Sequence, residues 1–318
     1  MVAGGYQRVH SPVMGDGLYR WLDADAALNH ITTVAGGFST ARRGIITLPD
    51  GTPAFAKSGV DDATRRWATK EIAVYRFLDK YSYAYIPRLL AYSEDETAFV
   101  LEALLPGEGW DWSESWNEQR LDQTLDAMDT LAAITPTGDD RVFFSMPTLD
   151  DGDDGWRQLA ASPQLQQSLV SRLHEAGRHE LVNTLDFDAS AEHSSHFAFR
   201  HDVLVHNDVR ADNCAWNSHT REVKLVDWNW TCLGDRRIDL AAMLIHTHNA
   251  GLNVLPRYES RIDPEALRWM TGYWWKSAAT PIWPGGPQYL RQRQLQAGIT
   301  AYAFIHGIYG GNDHTNRN

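Results

Sequence analysis

The segment that most constrains this chain is His206-Asn207-Asp208-Val209-Arg210-Ala211-Asp212-Asn213, followed fourteen positions after Asn213 by Asp227 at the end of the apolar run Val223-Lys224-Leu225-Val226. The run reads as a strand, so Asp227 is a carboxylate delivered at a strand end. A carboxylate, an amide five residues later and a second carboxylate on a strand end are what phosphoryl transfer from a magnesium nucleotide requires. One group orients the attacking hydroxyl and the other two offer oxygen to a metal. Asp208 is therefore the candidate catalytic residue, accepting a proton from the acceptor while aligning its oxygen. Asn213 and Asp227 are the candidate metal ligands.

Composition narrows the setting of that chemistry. With 318 residues, 43% hydrophobic and 11% aromatic, the chain can bury a large core and is long enough for two lobes. A net charge of −12 argues against nucleic acid as a partner, which requires a basic stripe to displace phosphate counterions. It favours a cationic over an anionic small molecule. The two cysteines, Cys214 and Cys232, provide no disulfide framework. No stretch approaches the ~20 apolar residues of a membrane span, and Met1 to Tyr19 lacks a basic start leading into an apolar run. The expectation is a cytoplasmic protein with no membrane partner.

The first third of the chain has β character followed by one strong helix. Ile31 to Gly59 holds apolar runs separated by Gly36-Gly37 and by the turn Pro49-Asp50-Gly51-Thr52. Residues 63–80 form a helix with Trp67, Val74, Tyr75 and Leu78 on one face. Glu71 shares that stripe, and an inward carboxylate needs a cation. Lys57, at the end of the preceding strand, is the nearest in sequence. An apolar segment around Ile86–Leu90 and a strand from Ala98 to Glu102 lead to Leu105-Pro106-Gly107, which marks a boundary between a lobe of residues 1–106 and a second of 107–318. Beyond it, Leu121, Leu125, Met128 and Ala132 form a helical stripe with Ser113 or Ser115 available as N-cap. Asp150 to Gly155 reads as an acidic solvated loop. Asp263-Pro264 opens an aromatic helix through Trp269, Tyr273, Trp274 and Trp275.

The blocks His206–Asn213, Val226-Asp227-Trp228 and Gly234-Asp235-Arg236-Arg237-Ile238-Asp239-Leu240-Ala241 resemble, in order and spacing, those of the aminoglycoside phosphotransferase and choline kinase family. The resemblance spans about residues 30 to 250. It implies an α+β, bilobal protein-kinase-like fold: a small N-terminal antiparallel β lobe with one main helix, and a larger, mostly helical C-terminal lobe that binds the acceptor. It further implies a Mg2+-dependent kinase using ATP or GTP on a small-molecule hydroxyl acceptor, and assigns residue roles. Lys57 contacts the nucleotide phosphates with Glu71 as partner. Gly36, Gly37 and Ser39 lie in a loop over the nucleotide. The backbone near Glu102 and Leu104 meets the adenine. His206 and Asp239 support the catalytic loop. Asn207 departs from the family's usual glycine, and Asn tolerates left-handed backbone better than most residues.

The acceptor is not written in any transferable motif. Aminoglycoside-like and other aminated compounds fit the acidity, and choline, homoserine, sugars and macrolides are acceptors elsewhere in the family. Two other classes compete. His193, His196 and His201-Asp202 suggest a His-Asp metal phosphohydrolase, which requires its pair on helices, where Phe197 to Val205 reads as β or irregular. A nucleotide-binding pseudokinase is disfavoured because Lys57, Asp208, Asn213 and Asp227 are all present.

Overall fold

The structure is a computed structural model that describes residues 19–21, 32–33, 39–48, 50–113, 115–283, 286–287 and 289–307. By compactness the chain divides into two units, one comprising residues 1–114, 118–140 and 211–231, the other residues 115–117, 141–210 and 232–318.

The first unit is built on a six-stranded sheet of β1 (Tyr19–Trp21), β2 (Thr32–Thr33), β3 (Arg42–Thr47), β4 (Pro53–Ser58), β5 (Leu89–Ser93) and β6 (Ala98–Glu102), in the order β1-β5-β6-β4-β3-β2. It is antiparallel except at one edge, where β1 runs parallel to β5. The β3–β4 hairpin closes as its turn residues dictate: the Asp50 carboxylate accepts the Thr52 N–H at 2.9 Å, and Gly51 takes φ +86°. Ile46, Ala54, Ala56, Ala91 and Val100 form the buried face. Lys57 and Phe99, paired across β4 and β6, point to the opposite face, where the one long helix meets them through Glu71 and Tyr75.

That helix, α1 (Asp62–Lys80), starts at a capping box in which Asp61 accepts the Thr64 N–H and Thr64 returns a bond to the Asp61 N–H. The hydroxyl of Thr40 donates to Asp61 at 2.5 Å, which with the Thr64 bonds holds that carboxyl down at about 2. The buried stripe is Thr64, Ala68, Glu71, Ile72, Tyr75 and Leu78, with Val74 and Phe77 beside it. Trp67 departs from the expected face and is 41% exposed. Val74 and Phe77, turned farther from the stripe's centre, are nonetheless buried, so position on the helix wheel alone does not decide the exposure of Trp67.

The cut expected at residue 106 differs from the division by compactness. Trp110–Asp111 pairs with Cys214–Asn217, which pairs in turn with Glu222–Leu225, and the helix α2 (Glu118–Ala133) packs beside them. These pairings keep residues 107–114, 118–140 and 211–231 in the first unit. Helix α2 starts at Glu118, later than caps at Ser113 or Ser115 would give. Leu121, Leu125 and Met128 are buried as their spacing predicts, while Arg120 and Thr124, also fully buried, were not anticipated.

The second unit is helical apart from a two-stranded pairing of Val203–Val205 with Cys232–Gly234. Its core joins Trp156, Leu159, Leu169, Leu173, Leu181, Trp275, Ile299 and Tyr302. The helix Pro264–Ala279 begins with Asp263 accepting the N–H groups of Glu265 and Ala266 and proline in its first turn. Trp269, Trp274 and Trp275 are buried, so most of the aromatic stripe is core. Gly155 and Gly272 meet where side chains cannot fit: a Cβ on Gly155 would lie 2.0 Å from the Gly272 carbonyl oxygen. The acidic segment 150–154 is thereby fixed against this helix at the level of Tyr273.

Candidate active site

In the first unit the sheet and α1 present Lys57 and Glu71 to each other in the buried interior. Lys57 is 7% and Glu71 2% exposed, and Lys57 Nζ lies 2.5 Å from Glu71 Oε1. The same ammonium lies 3.0 Å from Asp227 Oδ1. Burial opposes its charge, but the two carboxylates outweigh that and hold Lys57 protonated well above the ordinary lysine range. Glu71 responds in the other direction. Burial pushes its carboxyl up to about 7; Lys57 draws it down, and Asp227, a like charge, pushes it up.

A pH dependence follows. The ordinary glutamate value is 4.5, so between about pH 4.5 and about pH 7 the folded protein retains a proton on Glu71 that the unfolded chain has released. The contribution of this group to stability is complete below pH 4.5 and is lost as pH rises through about 7. Lys57 is protonated in both states across that window and adds no slope. Glu71→Gln is expected to flatten the thermal midpoint against pH over this range. A variant that keeps the wild-type slope from pH 4.5 to 7 contradicts the assignment.

Asp227 is placed by the end of the Glu222–Leu225 strand and adopts φ +66°, a left-handed conformation uncommon for aspartate. Asn229 holds it, donating from Nδ2 to Asp227 Oδ1 at 2.8 Å, and also bonds Glu71. Asn213 ends the tight turn Ala211–Asn213 and is 4% exposed. Its carbonyl accepts the N–H of Val226 at 3.0 Å, which ties the turn bearing Asn213 to the residue just before Asp227. Lys57, Glu71, Asn213 and Asp227 thus share one framework within this unit. Tyr75 adjoins them, its hydroxyl raised by burial and then by the Glu71 and Asp227 charges.

Glu102 closes β6, its N–H donating to the Arg88 carbonyl at 2.9 Å. The carbonyl of Leu104 accepts the Trp112 indole N–H at 2.9 Å. Ser39 directs its carbonyl to the Arg43 guanidinium at 3.0 Å. Gly36 and Gly37 lie outside the described residues.

The second unit holds His206, Asp208 and Asp239. His206 is fully buried at the end of the Val203–Val205 strand. Asn207 takes φ +62°, the conformation for which its side chain is suited where glycine is absent. Its N–H donates to Asp239 Oδ1 at 2.9 Å, and its amide reaches Thr148 Oγ1 at 2.9 Å. Asp239 is 2% exposed; burial raises its carboxyl, opposed by Arg236 at 3.5 Å and by the N–H groups of Asn207 and His206. The loop before Asp208 is thus anchored from the helix Arg236–Asn249. Asp208 pairs with Arg210, two residues along the same loop. Tyr273 senses Asp208: its hydroxyl is pushed up to about 12 by burial first, then by the Asp153 and Asp208 carboxylates.

Sequence reasoning passed over Arg210, Asn229 and Arg120, and read Tyr75 only as part of an inward helix face. The first two sit two residues from Asp208 and Asp227, where proximity alone was a usable signal. His193 lies in the last turn of the helix Phe187–Ser194 and meets Glu265 at 2.5 Å. His201 and Asp202 lie exposed outside any helix, contrary to what a His-Asp hydrolase requires.

A mostly antiparallel sheet with one long helix, a buried Lys-Glu pair and a helical remainder define a protein-kinase-like fold. Solved structures agree on that fold. The ternary complex of streptomycin, ATP and APH(2")-IIa matches with a TM-score of 0.51 at 15% identity, over 89% of this chain and 96% of that one. The choline kinase LicA from Streptococcus pneumoniae matches with a TM-score of 0.54 at 11% identity, over 86% and 93%. An aminoglycoside phosphotransferase from Alicyclobacillus acidocaldarius matches with a TM-score of 0.51 at 14% identity, over 94% and 96%. No curated protein sequence matches the chain. The family model of the phosphotransferase enzyme family matches residues 30–273, and the chain belongs to that family.

Proposed function

We propose that this phosphotransferase moves the γ-phosphoryl group of ATP or GTP, bound with Mg2+, to a hydroxyl of a polar, aminated small molecule, aminoglycoside-like or of similar charge. The observation that carries the reading is the position of Lys57 between Glu71 and Asp227, at 2.5 and 3.0 Å. Buried lysines are costly and need pairing. Here Glu71 orients the ammonium while the more exposed Asp227 leaves the cation able to meet phosphate oxygens.

The donors fit magnesium. Asn213 offers a neutral amide oxygen and Asp227 a carboxylate, hard oxygen ligands on a common backbone frame. When bound, the metal supplies neutralisation of the charge on the β- and γ-phosphates. Lys57 binds phosphate, and backbone near Glu102 and Leu104 meets the adenine edge. The loop of Gly36, Gly37 and Ser39 covers the nucleotide. Asp208 orients the acceptor hydroxyl and takes its proton as the O–P bond forms. His206 and Asp239 hold the loop that bears it, the latter through the Asn207 N–H.

The net charge of −12 supports a cationic acceptor. Asp153 and Asp208 both act on Tyr273, while Arg291 opposes them there and Arg210 pairs with Asp208. The related structures named with streptomycin and as a choline kinase involve compounds of that charge. A panel of hydroxyl compounds, aminated, neutral and anionic, assayed with ATP and with GTP for nucleoside diphosphate release, tests this. Turnover is expected with aminated acceptors. Turnover confined to anionic acceptors would overturn the acceptor class, and none that depends on both nucleotide and magnesium would overturn the reading itself.

A further inference from the structure

The arginine at position 120 is fully buried on α2, and its two Nη groups donate to backbone carbonyls. Nη2 donates to the carbonyl of Ala211 at 3.0 Å and to that of Cys214 at 2.5 Å, and Nη1 donates to Ser113 at 2.9 Å. Ala211 and Cys214 bracket the turn that ends at Asn213. One turn along the helix, Thr124 donates to the Arg120 carbonyl at 2.7 Å and lies 3.4 Å from Cys214 Sγ. A leucine would fill this helix face without the desolvation cost of a guanidinium, so the charge is retained for its donors. A rigid planar fork that grips carbonyls on both sides of a residue fixes that residue's backbone more firmly than packing does.

We infer that Arg120 is a positioning residue for Asn213, holding its amide oxygen in the place where magnesium is bound. This rests on the reading of Asn213 as a metal ligand. The clamp on Ala211 and Cys214 and the Val226 N–H on the Asn213 carbonyl fix the turn from two sides. Groups that orient a metal ligand from behind shape affinity almost as much as the ligand does.

The test needs no acceptor. Binding of the non-hydrolysable analogue AMP-PNP is measured by calorimetry across a series of MgCl2 concentrations for the wild type, Asn213→Ala, Arg120→Met, Arg120→Lys and the Asn213→Ala/Arg120→Met double variant, with thermal unfolding as control. Arg120→Met is expected to raise the magnesium concentration for half-maximal affinity ~10-fold, while metal-free nucleotide affinity changes less than about 2-fold. Arg120→Lys recovers part of the loss, since an ammonium reaches one carbonyl. The double variant is no worse than Asn213→Ala alone. If Asn213→Ala itself leaves the magnesium dependence unchanged, the ligand reading fails. If Asn213→Ala shifts it and folded Arg120 variants do not, the positioning role alone fails. Loss of cooperative unfolding in both Arg120 variants assigns the residue to stability and overturns the proposal.

Discussion

Asp208→Ala is expected to reduce kcat at least ~100-fold while leaving the nucleotide KM within a few-fold of wild type. The alanine can neither align the acceptor hydroxyl nor take its proton, while the residues assigned to phosphate and metal, Lys57, Asn213 and Asp227, are unaltered. The loop itself should survive. It is anchored through the Asn207 N–H and the buried Asp239, with Asn207 in the left-handed conformation it tolerates. The substitution also releases Arg210 from its pairing with Asp208. Removing the Asp208 carboxylate also takes away a negative charge that would face an aminated compound, so Asp208→Ala is further expected to weaken inhibition by aminated compounds. Initial rates of acceptor-dependent nucleoside diphosphate release decide the main claim: near-normal kcat in a folded Asp208→Ala protein removes Asp208 from its role.

Much of the framework was legible because each feature carried a local mechanism. The Asp50-Gly51 turn closes β3 on β4, the 3.6-residue spacing defines α1, and an inward Glu71 required a cation, which the structure places at 2.5 Å. Asp263-Pro264 opened a helix where capping chemistry said it would. What the sequence did not reveal depends on neighbours rather than on pattern. Trp67 has the right spacing but no buried position, because a face buries a side chain only where another element covers it. Nothing in the spacing of α2 marks Arg120; only the pairing of distant strands brings the carbonyls of Ala211 and Cys214 onto it. The boundary at residue 106 followed Pro106-Gly107, a true break in the chain, but residues 211–231 return to pair beside the sheet, which no local signal encodes. Asn229 was invisible for the same reason: its chemistry lies in what surrounds Asp227 and Glu71.

Asp227→Asn is expected to separate stability from function. Within the first unit Lys57 carries one positive charge against the carboxylates of Glu71 and Asp227, so with Glu71 ionised the cluster bears an excess of negative charge near the buried interior. That excess is tolerable in a site built to receive a cation and is unfavourable without one. The amide is close in size, keeps an oxygen for Lys57 and removes the like charge that pushes Glu71 upward. Without metal, the variant should therefore melt no lower than wild type. Its response to ligand should be lost. In the wild type, magnesium with nucleotide at about a hundred times the dissociation constant adds about 3 kcal/mol of stability by mass action. Asp227→Asn, lacking the anionic ligand, should show no magnesium-dependent increment, and kcat should fall at least ~100-fold. Thermal unfolding with nucleotide, with and without MgCl2, reads both halves. An unchanged magnesium-dependent shift refutes the ligand role, and a large metal-free loss of stability shows instead that Asp227 is held for its pairing with Lys57.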